Sequence, residues 1–341
     1  MKRCQNNFFA GATTGDGFVN FYDQIVDRTN CNAYLIIKGG SGMGKSTLLK
    51  KIADTFDNVD VDLFNCSSDT NSLDGVSLAN GKVGVVDGTS PHAIEPTYLG
   101  INDTIVDMSI CLGSSIESSR PQLTHLISLK KQHYDLAYRY LKLAKQSFST
   151  AYHFVLDNID VSKIYKLCVQ LLPTNSTYIY PRRLFCQAFT SLGKTSLTAT
   201  FGKRLYKLQG SEYAKCCTLS TLAQLLDNSN ISYCTYYHPL STHYICAIET
   251  YDFCITTNPN WSSPDCEEIT LTDSLSCDKQ DFVSSLDLSQ HRLIEYATRQ
   301  LNSAMAIHQQ IEQLYRPHID FEMVDKITHQ TLQKIETYLQ K

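Results

Sequence analysis

The stretch from Tyr34 to Lys51, YLIIKGGSGMGKSTLLKK, constrains this chain more than any other. Its lead, AYLIIK, is short and rich in β-formers, which predicts a buried parallel strand. Behind the glycines, Leu48, Leu49 and Ile52 recur at helical spacing, which predicts an amphipathic helix. Between the two, Gly39, Gly40, Ser41, Gly42, Met43, Gly44, Lys45 and Ser46 fulfil the pattern G-x-x-x-x-G-K-[ST] in full. Glycines let successive backbone N–H groups converge on an anion with no Cβ in the way. The new helix adds the positive end of its dipole at the same spot. The backbone from Gly39 to Thr47 is therefore expected to cradle phosphates. Lys45 is expected to reach the β- and γ-phosphates, and the Ser46 hydroxyl to ligate Mg²⁺.

Such a magnesium ion needs an acidic partner at the end of a neighbouring strand. KVGVVDG supplies one: Lys82 to Val86 reads as a compact apolar strand, and Asp87 ends it. Gly88 follows, so the glutamate base that many ATPases place there is absent. Replacement groups are sought in two segments at strand ends, where loops of doubly wound sheets face the ligand crevice. NCSSDTNSLDGV offers Asp69 and Asp74, and DGTSPHAIEP offers His92 and Glu95. Each has two readings that the sequence leaves open: a base or substrate-holding group, or an ordinary turn residue.

Composition sets the outer limits. At 341 residues the chain is long enough for two ordinary domains. An apolar fraction of 43% and a charged fraction of 19% belong to a globular protein. A net charge of −4 gives no general attraction to nucleic acid or anionic membrane, so neither is expected as a partner. No apolar core follows MKR, and no run approaches the roughly 20 residues of a membrane helix. Thirteen cysteines without a CxxC spacing suggest neither a disulfide framework nor a zinc ribbon. The expectation is a reduced, soluble, cytoplasmic protein. Cys234, His238, His243 and Cys246 cluster in the sequence, but their spacing fits a strand-loop-strand better than a zinc site.

Sliding the chain by 170 positions places Lys45 on Lys215 and reveals an internal repeat. GGSGMGKSTLLKKIADTFDN falls on QGSEYAKCCTLSTLAQLLDN without a gap, and KVGVVDGTSP falls on DFCITTNPNW. In this alignment Gly39 becomes Gln209, Gly42 becomes Glu212, Gly44 becomes Ala214, Ser46 becomes Cys216 and Asp87 becomes Thr257. Cysteine is a poor ligand for hard Mg²⁺, and Glu212 puts a negative charge where phosphate would sit. Lys215 survives, and reads as a solvated lysine at a helix start.

Helical segments echo at an offset of 160, with Asp160 on Asp320 and Leu141 on Leu301. In the first block Leu136, Tyr140 and Leu143 form an apolar stripe. That block is also basic, with Arg120, Lys130, Lys131, Arg139, Lys142 and Lys145. It reads mostly as a solvated face, with one member a candidate to reach the phosphates. The sequence does not choose which. The predicted architecture is α/β: two tandem P-loop NTPase-like parallel-sheet units, each followed by an α-helical hairpin. Their expected limits are 1–180 and 181–341.

FFAGATTGDGF, IIKGGSGMGKSTLLKKIA, NCSSDTNSLDGV and VGVVDGTSPHAIEP, with RRLFCQAFTSLGK at the restart, carry a further signal. Across essentially its whole length the chain resembles an uncharacterised bacterial family of tandem P-loop ATPases. The resemblance implies nucleotide binding and hydrolysis. Members commonly keep the glycine loop in both halves, whereas the second half here has lost it. The expectation is thus one active site in the first half, with the second half a pseudo-domain. Mg²⁺-dependent hydrolysis of ATP is the leading reading, since no N-K-x-D guanine signature occurs. The alternatives are a small-molecule or nucleotide kinase, with Asp69 or Asp74 holding the acceptor hydroxyl, and a nucleotide sensor that pairs with a protein partner or a second copy through its helical hairpins.

Overall fold

A computed structural model describes residues 5–91, 93–173, 177–271 and 275–341. The chain is mixed α/β. In order it forms β1 (Gln5–Phe8), β2 (Gly11–Thr14), β3 (Gly17–Asn20), β4 (Ala33–Lys38), α1 (Lys45–Thr55), β5 (Val61–Asn65), β6 (Leu73–Leu78), β7 (Val83–Asp87) and β8 (Asp103–Asp107). The helices α2 (Arg120–Leu156) and α3 (Val161–Gln170) follow. Next come β9 (Arg183–Phe185), β10 (Gln187–Thr190), β11 (Gly193–Ser196), β12 (Ala199–Thr200), β13 (Arg204–Gln209) and α4 (Glu212–Asn228). Strands β14 (Cys234–His238), β15 (Ser241–Glu249), β16 (Phe253–Thr256), β17 (Trp261–Ser262) and β18 (Cys266–Thr270) precede α5 (Cys277–Tyr315) and α6 (Phe321–Leu339). Among the described residues no helix is long and apolar enough to cross a membrane.

Two six-stranded sheets share one strand order: β1-β5-β6-β7-β4-β8 and β9-β14-β15-β16-β13-β18. The predicted sheets were parallel, and here the structure corrects the expectation. Strand β6 runs antiparallel to both β5 and β7, and β15 runs antiparallel to β14 and β16, while the other pairings within each sheet are parallel. The short connections explain this. A few residues cannot carry the chain back across a sheet, so adjacent strands so joined must form hairpins. The repeat also slips. Ala33 pairs with Val83, but Arg204 pairs with Phe253, which displaces β13 by one residue from the ungapped alignment.

The chain divides into two compact units, and they are not the blocks 1–180 and 181–341. One comprises Met1–Gly11, Asn20–Leu136 and Arg299–Lys341, and the other comprises Ala12–Val19 and Ala137–Thr298. In the first unit α6 packs on α1, with Ile327 and Ile335 joining Leu48, Leu49 and Ile52 in one core. In the second unit α3 packs on α4, with Ile164 and Cys168 joining Leu219, Leu222 and Leu226. Each terminal helix thus serves the sheet from the other half of the sequence. Helix α2, 37 residues long, begins in the first unit and ends in the second.

Asp160 and Asp320 cap the exchanged helices, accepting from the N–H of Ser162 and of Met323. The stripe that α2 buries differs from the predicted one. Leu136 is 40% exposed and Leu143 49% exposed, while Ala137, Leu141, Ala144, Phe148, Ala151 and Val155 are inside. Alternating alanines with bulky residues at spacings of three and four lets a neighbouring helix approach closely. In the second unit Phe148 of this stripe meets the rings of Tyr213, His238 and Tyr244, while Tyr140 and Phe154 beside it meet Tyr296 and Phe282 of α5.

Candidate functional site

In the first unit the residues from Gly39 to Gly44 join the end of β4 to the start of α1. Gly42, with φ +75°, and Gly44, with φ +82°, lie in the left-handed region. There a Cβ costs roughly 1–2 kcal/mol per residue. Gly44 is the N-cap of α1, and no side chain caps the helix. Its first N–H groups are therefore presented to whatever enters the loop. Gly39 is needed for space instead, since a Cβ there would stand 3.1 Å from the Cβ of Met108.

Lys45 folds back over this loop. Its Nζ donates to the carbonyls of Gly39 at 3.1 Å and Gly40 at 2.7 Å, and lies 3.7 Å from Asp87 Oδ2. The parallel pairing of Ile37 with Asp87 brings the C-terminal ends of β4 and β7 side by side, which sets that distance. Asp87 is mostly buried, and its other oxygen, Oδ1, accepts from the N–H of Thr89 at 2.9 Å and its hydroxyl at 2.5 Å. The Ser46 Oγ accepts from the N–H of Leu73 at 2.9 Å, tying the first turn of α1 to the start of β6. Lys45, Ser46 and Asp87 are thus brought to one place.

Of the remaining candidates, Asp74 and Asp69 lie near this place and Glu95 is engaged elsewhere. Asp74 is buried inside β6 rather than in a loop, and accepts from the Tyr22 hydroxyl at 2.7 Å. Gly75 pairs with Val86, so Asp74 and Asp87 each lie one residue beyond that rung, at one edge of the sheet. Burial, with Asp74 alongside, pushes the Tyr22 hydroxyl and the Cys66 thiol well above their ordinary values. Asp69 closes its own turn, accepting from the N–H of Asn71 at 3.1 Å and the hydroxyl of Ser72 at 2.7 Å. Glu95 is exposed and ion-paired with Lys38 at 2.8 Å. His92 lies outside the described residues.

Three further side chains lie at the loop, and only one of them stood among the sequence candidates. From α2 comes Lys130, while Tyr134 of the same helix is hydrogen-bonded to Ser68 at 2.9 Å. From α5 come His308, 3.5 Å from Lys130 Nζ, and Glu312, 3.6 Å from His308. Glu312 accepts from the N–H of Gly42, and a Cβ on Gly42 would meet its backbone at 3.5 Å. Burial raises the Glu312 carboxyl, against the pull of Lys45 and that N–H. Burial also pushes His308 down to about 4, assisted by Lys130 and Lys45. Lys130 is lowered by burial, partly offset by Glu312. The membership of Lys130 in a basic run was visible in the sequence. Nothing in the sequence linked Glu312 to a loop some 270 positions away.

The cysteine–histidine cluster has other occupations. His238 donates from Nε2 to Glu212 at 2.9 Å and accepts the N–H of Leu240 at Nδ1. His243 bonds Ser241 at 2.9 Å, and the Cys234 thiol donates to the carbonyl of Tyr180. Among the described residues no three His, Cys, Asp or Glu side chains converge as a metal cage. No family model, curated protein or solved structure matches this chain.

Proposed function

We propose that the first unit binds and hydrolyses a nucleoside triphosphate, with Mg²⁺, at the loop from Gly39 to Thr47. The observation that supports it is the position of Lys45. It bridges the loop carbonyls and the Asp87 carboxylate beside an uncapped helix start with two left-handed glycines. That arrangement joins a mobile cation and fixed N–H donors on a spot that suits a tetrahedral anion.

Ser46 and Asp87 fit a magnesium ion by donor type. Both offer hard oxygens, and Asp74 adds a second carboxylate at the same sheet edge. Magnesium keeps several waters and takes phosphate oxygens, so it does not require a full protein cage. When bound, it would neutralise charge on the β- and γ-phosphates. Lys45 would leave the loop carbonyls for the phosphate oxygens. Glu312, whose carboxyl is raised by burial and which bonds the N–H of Gly42, would accept a proton from the attacking water in the role that Gly88 leaves unfilled. The adenine preference rests on the absent guanine signature, and the single-site reading on the residues lost around Lys215.

The test is nucleotide binding and phosphate release by the full chain with and without Mg²⁺. Lys45→Ala should abolish Mg²⁺-dependent ATP binding. Asp87→Asn should retain nucleotide while turnover falls on the order of 100-fold, as when one charge-stabilising group is removed. Wild-type protein that binds no nucleotide, or a Lys45→Ala variant equal to it, would sink the reading.

A further inference from the structure

The second unit carries a cavity of about 370 Å³ at the place where its repeat has lost the glycine loop. Lys194, Lys207, Lys215 and Glu212 line it, together with Gln209 and Thr257. The backbone there is no longer an anion cradle. The loop between β13 and α4 has shrunk to Gly210 and Ser211, and the Ser211 hydroxyl caps the helix by accepting the N–H of Ala214 at 3.2 Å. Any ligand must therefore be held by side chains.

The charges decide what those side chains can hold. Glu212 was expected to repel phosphate, but it is already engaged by Lys194 at 2.8 Å and His238 at 2.9 Å. Those partners keep its carboxyl well below the usual range against the opposing effect of burial. Lys207 donates to the carbonyl of Pro259 at 3.1 Å and forms no ion pair among the described residues. Lys215 is half-buried and forms no ion pair among the described residues. In the first unit the corresponding lysine faces Asp87, whereas here Thr257 stands in that place. Substitution of the carboxylate by a hydroxyl, and of Ser46 by Cys216, removes the donors a hard metal would use. It leaves an excess of positive charge and a hydrogen-bond donor on the cavity wall.

We infer that this cavity is a metal-independent binding site for a phosphate-bearing small molecule, of the size of a sugar phosphate or a nucleotide. Two lysines that form no ion pair among the described residues, in a partly enclosed space, favour a multiply charged anion over a neutral ligand. Lys215 is then a ligand-binding residue rather than a solvated one. The inference goes beyond the proposed hydrolysis in the first unit and does not depend on it.

Titration calorimetry of the full chain with pyrophosphate in excess EDTA tests it, with inorganic phosphate as a weaker probe. Pyrophosphate binding is expected in wild type, expected to survive in Lys45→Ala, and expected to weaken at least tenfold in Lys215→Gln. Thr257→Asp restores a carboxylate on the wall without touching a lysine and should weaken binding similarly. It serves as the second variant should Lys215→Gln perturb the fold. Absence of saturable pyrophosphate binding in EDTA overturns the inference. So does binding that is lost in Lys45→Ala and unchanged in both second-unit variants.

Discussion

The Tyr22 hydroxyl donates to Asp74 Oδ2 at 2.7 Å, with both groups buried beneath the sheet edge that carries Asp87. A buried carboxylate that loses one of its donors loses part of what offsets its desolvation. Tyr22→Phe should therefore lower stability by about 1–3 kcal/mol in urea unfolding, with no change in the slope of the transition. Asp74→Asn, which keeps a partner for the hydroxyl, should cost less. Equal costs for the two variants would contradict the geometry.

Glu312 makes a prediction about pH. Its carboxyl is held above the ordinary value of 4.5, chiefly by burial, so it loses its proton later than an exposed glutamate. Phosphate release should rise with pH along a limb displaced above 4.5, and Glu312→Gln should abolish that limb together with most of the turnover. Nucleotide affinity in the variant should not fall, because Lys45 is untouched and the Gly42 N–H loses a competing carboxylate charge. A Glu312→Gln variant with wild-type turnover would remove the residue from the chemistry.

His308 predicts an acid sensitivity of opposite origin. Its folded value, about 4, lies below the ordinary 6.5, so the native state binds fewer protons than the unfolded chain in that window. Stability is present above pH 6.5 and is lost as pH falls toward 4. Glu312, raised rather than lowered, works the other way as acid is added. His308→Gln should accordingly lose less thermal stability between pH 7 and pH 5 than wild type does, read as the difference in Tm. A larger loss in the variant would reverse the assignment.

Gly44 sits at φ +82° with a Cβ position 3.3 Å from Val324 Cγ1. Gly44→Ala should cost at least roughly 1–2 kcal/mol from the backbone alone. It should also weaken nucleotide binding, because the loop must shift to relieve the contact. Gly17→Ala provides the control, with a comparable φ of +102° but no atom within 4 Å. It should show the stability cost and spare nucleotide binding.

The exchanged helices can be tested by local protection. Ile335 is fully buried in the core shared by α6 and α1. Ile335→Ala should cost about 2–5 kcal/mol. Amide exchange should accelerate in α1 and β4, while α4 and β13 keep their protection. Accelerated exchange in α4 instead would place α6 with its own half of the sequence.

Local chemistry and tertiary structure divided the determination of this protein between them. The strand–loop–helix around Lys45, the end of β7 at Asp87 and the recurrence of Asp160 at Asp320 are legible from the residues alone, while the capping role of those two aspartates came from the structure. The first two depend on neighbours within a few positions: β-formers, glycine conformation, helical spacing. The antiparallel course of β6 was missed because periodicity carries no strand direction. The buried face of α2 was missed because two overlapping stripes fit the same helix, and only its packing partner selects the one built on Ala137, Ala144 and Ala151. The exchange of α3 and α6, the arrival of Lys130, His308 and Glu312 at the glycine loop, and the pairing of Glu212 with Lys194 and His238 were decided by tertiary structure. They join residues tens to hundreds of positions apart, which no local pattern of side chains in the sequence records.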